Sequence, residues 1–244
     1  MTGHPALLVF LYALVTALAT GLGALPFALV RRVSPHAVAY ANAIAAGLML
    51  GASFGLVVEG TSFGRLETVI GVAVGVLFIL VTQHVLAGRE VELADVRGAG
   101  AQRMLLIVIV MTVHSFAEGV AVGVSFGGGV TLAAVITIAI AVHNIPEGLA
   151  ISAVLRPRGA TVAACAGWSI FSSLPQPLMA VPAFLFVDAF RAALPYGIGF
   201  AAGAMVFMVF VELLPEAFGQ ARRSVVATLV SLTMVAMIFF QQYL

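Results

Sequence analysis

Eight apolar runs, each about the length a helix needs to cross a lipid bilayer, dominate this chain. They fall at about 6–30, 37–59, 66–87, 103–126, 130–155, 160–186, 193–217 and 224–243. A helix rises ~1.5 Å per residue, so roughly 20 residues cover ~30 Å of hydrocarbon. The breaks between runs are short. The longest, Gly88 to Gln102, is about fifteen residues, too few for an inserted soluble domain. Composition points the same way: 62% of the 244 residues are hydrophobic and 9% charged, against roughly 45–50% and 25% in soluble domains. Open strands would leave backbone groups unsatisfied in lipid. The expected fold is an all-α integral membrane protein with eight transmembrane helices, forming one transmembrane domain in contact with membrane lipid. The first run has no basic stretch before it and exceeds the ~7–15 residues of a signal-peptide core, so it reads as a retained span.

Charge gives the orientation. All eleven basic residues are arginine. With eight spans, Arg31, Arg32, Arg89, Arg97, Arg103, Arg156, Arg158, Arg222 and Arg223 fall on one side, and only Arg65 and Arg191 on the other. By the positive-inside rule the first side is cytoplasmic, which places both termini outside the cytoplasm of a cell (inner) membrane protein. Eleven basic against ten acidic residues give no electrostatic footprint for nucleic acid. The lone Cys165 offers neither an internal disulfide nor a CxxC metal motif.

Most acids sit near breaks, where a side chain can reach the interface. Glu118, Glu147 and Glu212 lie deeper. Two of them belong to a repeated pattern, H-[SN]-x-x-E-G: His114-Ser115-Phe116-Ala117-Glu118-Gly119 and, 29 residues on, His143-Asn144-Ile145-Pro146-Glu147-Gly148. Each copy lies near the middle of its span, the fourth and the fifth. Residues i and i+4 share a helix face, so two facing motifs gather two imidazoles and two carboxylates around one point. A carboxylate at mid-membrane is costly and marks a functional site. A divalent cation bound between the motifs offsets that cost, and imidazole with carboxylate suits zinc and other first-row metals. Pro146 removes a backbone donor within the second motif. Glu212, toward the cytoplasmic half of the seventh span, and Glu59, near the outer end of the second, are candidate pathway residues.

Two strings of small residues have different meanings. Gly51-Ala52-Ser53-Phe54-Gly55 matches the nucleophile-elbow pattern, but that motif needs a strand–turn–helix setting. With Gly47, Gly51 and Gly55 in helical register it reads as a close-packing face. Ala45-Ala46-Gly47-Leu48-Met49 recurs as Ala201-Ala202-Gly203-Ala204-Met205 in a span of opposite direction, as in inverted-repeat transporters.

The paired motifs, with Gly203-Ala204-Met205 and Glu212-Leu213-Leu214-Pro215-Glu216 of the seventh span, resemble the prokaryotic-type ZIP (Zrt-, Irt-like protein) family of divalent metal transporters. The resemblance implies a 3+2+3 helix bundle in which the first and last three spans are inverted repeats. It also implies a homodimer, and uptake of divalent cations into the cytoplasm: zinc foremost, or iron, manganese or cadmium. The metal would be held by His114, Glu118, His143 and Glu147. A second, weaker metal position, by the same resemblance, would involve Ser115, Asn144 and a sixth-span glutamate whose place Gln176 takes here. Glu118 and Glu147 balance one divalent cation; a second would leave about two positive charges uncompensated in a low-dielectric site, which is unfavourable. One tight metal is therefore expected. Because ligands must be deprotonated, uptake is expected to fall as pH drops through about 6. Two alternatives stay open at this point: an intramembrane metal-binding enzyme, and a non-transporting, metal-sensing relative. No Walker-type loop and no H-E-x-x-H string is present.

Overall fold

A computed structural model describes residues 5–29, 34–86, 92–93, 96–97 and 99–242. Arg31, Arg32 and Arg89 lie outside them, so that part of the arginine count has no structural counterpart here. Among the described residues ten α-helices follow one another: α1 Pro5–Thr20, α2 Pro35–Phe63, α3 Arg65–Leu86, α4 Ala99–Ser125, α5 Val130–Leu155, α6 Val162–Ser173, α7 Pro175–Leu185, α8 Val187–Met208, α9 Leu214–Gln220 and α10 Arg223–Gln242. The two-residue strands β1 (Glu92–Leu93) and β2 (Val96–Arg97) pair antiparallel between α3 and α4. Among the described residues, six helical stretches are long and apolar enough to cross a membrane: Pro5–Ala28, Pro35–Phe63, Arg65–Val85, Ile136–Arg158, Ala192–Gln220 and Arg223–Gln242. The protein is an all-α membrane protein.

Local chemistry sets the helix ends. Ser34 caps α2, its hydroxyl accepting from Ala37 N, with Pro35 at the first helical position. Thr161 caps α6 in the same way. Both use a side-chain oxygen to satisfy an otherwise orphan N–H. Gly129 (φ 101°) and Gly159 (φ 93°) turn the chain before α5 and after it, conformations that disfavour a Cβ. Within the helices, Thr68, Thr82 and Thr112 donate to the carbonyl four residues earlier, so their hydroxyls need no water.

Three of the apolar runs are irregular. The first continues past α1 as a 3₁₀ segment, Gly21–Ala28. The sixth is two helices, α6 and α7, separated at Leu174. Pro175 and Pro177 have no N–H to continue the ladder. The seventh changes register through a π segment, Val209–Leu213, before α9. Pro215 follows one residue into α9, where its missing donor disturbs the same ladder.

Glycines set the packing. A Cβ on Gly47, Gly51 or Gly55 of α2 would strike Val230 and Thr233, Met234 and Met237, or Gln241 of α10. The small-residue face expected from sequence is thus the seat of α10, and the two helices run parallel. On α3, Gly71 and Gly75 meet the carbonyls of Tyr196 and Phe200, so α3 and α8 are parallel as well. Ser53 touches Met205 and Gly60 nears Ile198, so α2 and α8 are antiparallel.

These contacts reveal the extent of the internal repeat. Gly203 lies 156 positions after Gly47. Gly47 packs on Val230, the eighth residue of α10; Gly203 packs on Val72, the eighth residue of α3. The same offset relates Thr20 to Gln176. Gly148, after the second motif, packs on the Thr20 carbonyl; Gly119, after the first, packs on that of Gln176. Exchanging the two halves, and α4 with α5, maps these contacts onto one another. The five-residue similarity seen in sequence is the visible part of this inverted repeat.

The outermost faces of α3 and α10 are apolar and exposed, through Leu66, Val69, Leu77, Leu232, Val235 and Phe239. The interior holds the polar groups. His114, Ser115, Glu118, Asn144, Glu147 and Gln176 are all buried. A chain with oily outer faces and buried acids suits lipid as its solvent.

Candidate metal centre

The two motifs lie on α4 and α5, and the residue after each motif glutamate is a glycine at a close helix contact. Gly119 lets α7 approach until a Cβ there would sit 2.5 Å from Gln176 O, and Gly148 lets α1 approach even closer at Thr20 O. Both motif glutamates are thereby held against neighbouring backbone.

His114 Nε2 lies 3.1 Å from Glu147 Oε1 and 3.4 Å from Glu118 Oε1. Ligand atoms of His114, Glu118 and Glu147 all lie within 4.8 Å of one another, and the three side chains are buried. One nitrogen and two carboxylate oxygens at this separation could converge on a single divalent ion, since first-row metal bonds of ~2.0–2.2 Å place ligands ~3–4 Å apart. His143 is one turn before Glu147 on α5; its side chain lies outside the described residues.

The remaining sequence candidates divide into two groups. Ser115, Asn144 and Gln176 are brought together beside the cluster, in a hydrogen-bond network centred on the Gln176 amide. Its Nε2 donates to Glu118 Oε2 at 2.5 Å and to Ser115 Oγ at 3.5 Å. Its Oε1 accepts from Thr16 Oγ1 at 2.5 Å and from Asn144 Nδ2 at 3.1 Å. Asn144 Nδ2 also donates to Thr16 O at 2.8 Å. The carbonyl that a second metal would need is turned toward α1 and Asn144.

Glu59 and Glu212 lie apart from the cluster, toward opposite ends. Glu59 lines a cavity of about 60 Å³ together with His114, Glu118, Ile140, Ile198 and Gln241, so the cluster opens toward the end that carries Arg65. Toward the other end, Met49, Met205 and Met208 are fully buried in the core. Glu212 lies in the π segment and accepts from Gln83 Nε2 at 3.5 Å. Beyond it a second cavity, about 290 Å³, is lined by Asn42, Arg158, Glu216 and Gln220. Asn42 is buried with neither amide atom bonded to protein.

Sequence reasoning overlooked Thr16, Asn42, Gln83 and Gln241. An uncharged polar side chain inside an apolar run is the signal that marks each of them.

The fold and the cluster define a class: an all-α membrane protein with a buried His/Glu site able to hold a divalent cation. Comparison with known proteins gives the family. The model for the ZIP zinc transporters matches residues 87–238. Zinc transporter GufA of Myxococcus xanthus is 34% identical over 84% of this chain and 86% of its own. Zinc transporter ZIPB of Bordetella bronchiseptica is 31% identical over 81% of this chain and 69% of its own. A candidate zinc transporter of Arabidopsis thaliana is 48% identical over 94% of this chain, which spans 38% of that relative's length. The chain belongs to the ZIP family. Its relatives are transporters, which leaves the enzyme alternative without support.

Proposed function

We propose that this protein carries divalent metal ions, zinc foremost, across the cell membrane into the cytoplasm, and that His114, Glu118, His143 and Glu147 hold the ion midway. The supporting observation is the buried cluster of one imidazole and two carboxylates between α4 and α5. The names of the relatives favour zinc. Two carboxylates match the charge of one such ion, and the low-dielectric surroundings strengthen the attraction.

The ion enters at the end carrying Arg65, where Glu59 faces the same cavity as His114 and Glu118. It leaves toward the arginine-rich end, past Glu212. Direction is argued from the arginine asymmetry, with the richer side cytoplasmic. Met49, Met205 and Met208 are buried in the core on that side, so release calls for a second conformation. The inverted repeat supplies a means: the two halves can exchange roles about the fixed site.

Radiotracer uptake by cells expressing the protein tests the reading and its metal preference. Zinc uptake should exceed the empty-vector background and be lost in His143→Ala. Competition with iron, manganese and cadmium ranks the cargo. Zinc binding to the purified protein without uptake would instead favour the metal-sensing alternative.

A further inference from the structure

Gln176 is the most fully engaged side chain beside the cluster, and the direction of its amide carries information. Its oxygen is held by two donors, Thr16 Oγ1 and Asn144 Nδ2. Its nitrogen faces two acceptors, Glu118 Oε2 and Ser115 Oγ. Turning the amide over would set its oxygen against the Glu118 carboxylate and its N–H against that of Asn144, in a fully buried place where unmade bonds are unfavourable. Its backbone is fixed too, because Gly119 packs directly on the Gln176 carbonyl. In this arrangement the amide gives its N–H, and not its oxygen, to the Glu118 side.

We infer that Gln176 is a positioning residue: its amide N–H stands where a second cation would otherwise be needed, and it limits the site to one divalent ion. Glu118 presents Oε1 toward His114 and gives Oε2 to the amide, so it meets the transported ion through one oxygen. The neutral donor satisfies the far side of the carboxylate without adding positive charge. A glutamate at this place would bring a second carboxylate against Glu118 in a buried pocket. The added carboxylate supplies the oxygen ligand and the negative charge that a second divalent cation lacks beside Glu118 in the wild-type site. Gln176→Glu should thus recruit a second metal, with Ser115 Oγ in reach as a further oxygen.

This inference rests on the proposed metal site, and the experiment separates the two. Zinc per chain is measured by isothermal titration calorimetry in detergent, and by elemental analysis of protein purified with zinc present if Gln176→Glu needs metal to fold. Wild type should hold one zinc and Gln176→Glu two. Gln176→Met removes the donor while adding no charge, and should keep one zinc while binding it roughly ten- to hundred-fold more weakly, the usual effect of losing an outer-shell partner. In uptake assays that loss should raise KM with less change in maximal rate. Two zinc ions in wild type, one in Gln176→Glu, or unchanged affinity in Gln176→Met would each overturn the inference. No zinc bound to wild type at all would overturn the metal site itself.

Discussion

At the level of single residues, the cluster makes unequal demands on its neighbours. Glu147 is fully buried with its carboxylate 3.1 Å from His114 Nε2. Replacing it with glutamine keeps the shape and removes one of the two charges that balance the ion. Glu147→Gln should therefore fold normally yet take up zinc at below roughly a tenth of the wild-type rate, since even outer-shell changes at metal sites cost ten- to hundred-fold. Uptake per molecule at the membrane, with abundance measured by quantitative blotting, checks this; uptake within twofold of wild type would refute the ligand role. His114, Glu118 and Glu147 were legible in sequence because the H-x-x-x-E-G pattern repeats and because acids inside apolar runs demand a reason. The role of Gln176 was not. Sequence shows a neutral residue where a ligand was expected, but the direction of its amide is set by Thr16 and Asn144, on two other helices.

Among the helices, the close contacts at glycine do most of the positioning. A Cβ on Gly148 would sit 1.7 Å from Thr20 O, and backbone would have to move. Gly148→Ala should lower the thermal midpoint in detergent, consistent with about 1–3 kcal/mol for overpacking, and should also weaken zinc binding by displacing Glu147. Gly167→Ala is the matched control, since nothing lies within 4 Å of a Cβ there, and it should melt at or above the wild-type temperature. Equal midpoints for Gly148→Ala and wild type would contradict this account of the packing. The face formed by Gly47, Gly51 and Gly55 was readable from spacing alone. The break at Leu174 was signalled by Pro175 and Pro177, yet the run reads as one span because its composition stays apolar throughout. The π segment had no local signature beyond Pro215. The Thr20–Gln176 correspondence is invisible in sequence, because it lies in backbone contacts and not in shared side chains.

For the whole molecule, the proposed orientation puts the Arg65 end outside the cell and the arginine-rich end in the cytoplasm. Ser62 lies at the end of α2 near Arg65, and Ser224 opens α10 at the arginine-rich end; both are exposed. The chain's single cysteine, Cys165, is buried, so an introduced thiol can be labelled over a low background. A membrane-impermeant maleimide added to intact cells should label Ser62→Cys and leave Ser224→Cys unlabelled until the membrane is opened. The reverse pattern would invert the orientation and, with it, the proposed direction. The inverted repeat belongs to this scale too. Its two halves place Glu59 and Glu212 toward opposite ends, with the His/Glu cluster between them.

The most direct test of the central claim is zinc flux into proteoliposomes loaded with a zinc-sensitive dye. Purified wild-type protein should admit zinc down its gradient without ATP, and a double variant, His114→Ala with Glu147→Ala, reconstituted at the same density, should match protein-free vesicles. Flux in the double variant equal to wild type would show that the ion does not pass through the buried cluster, and the account would fail.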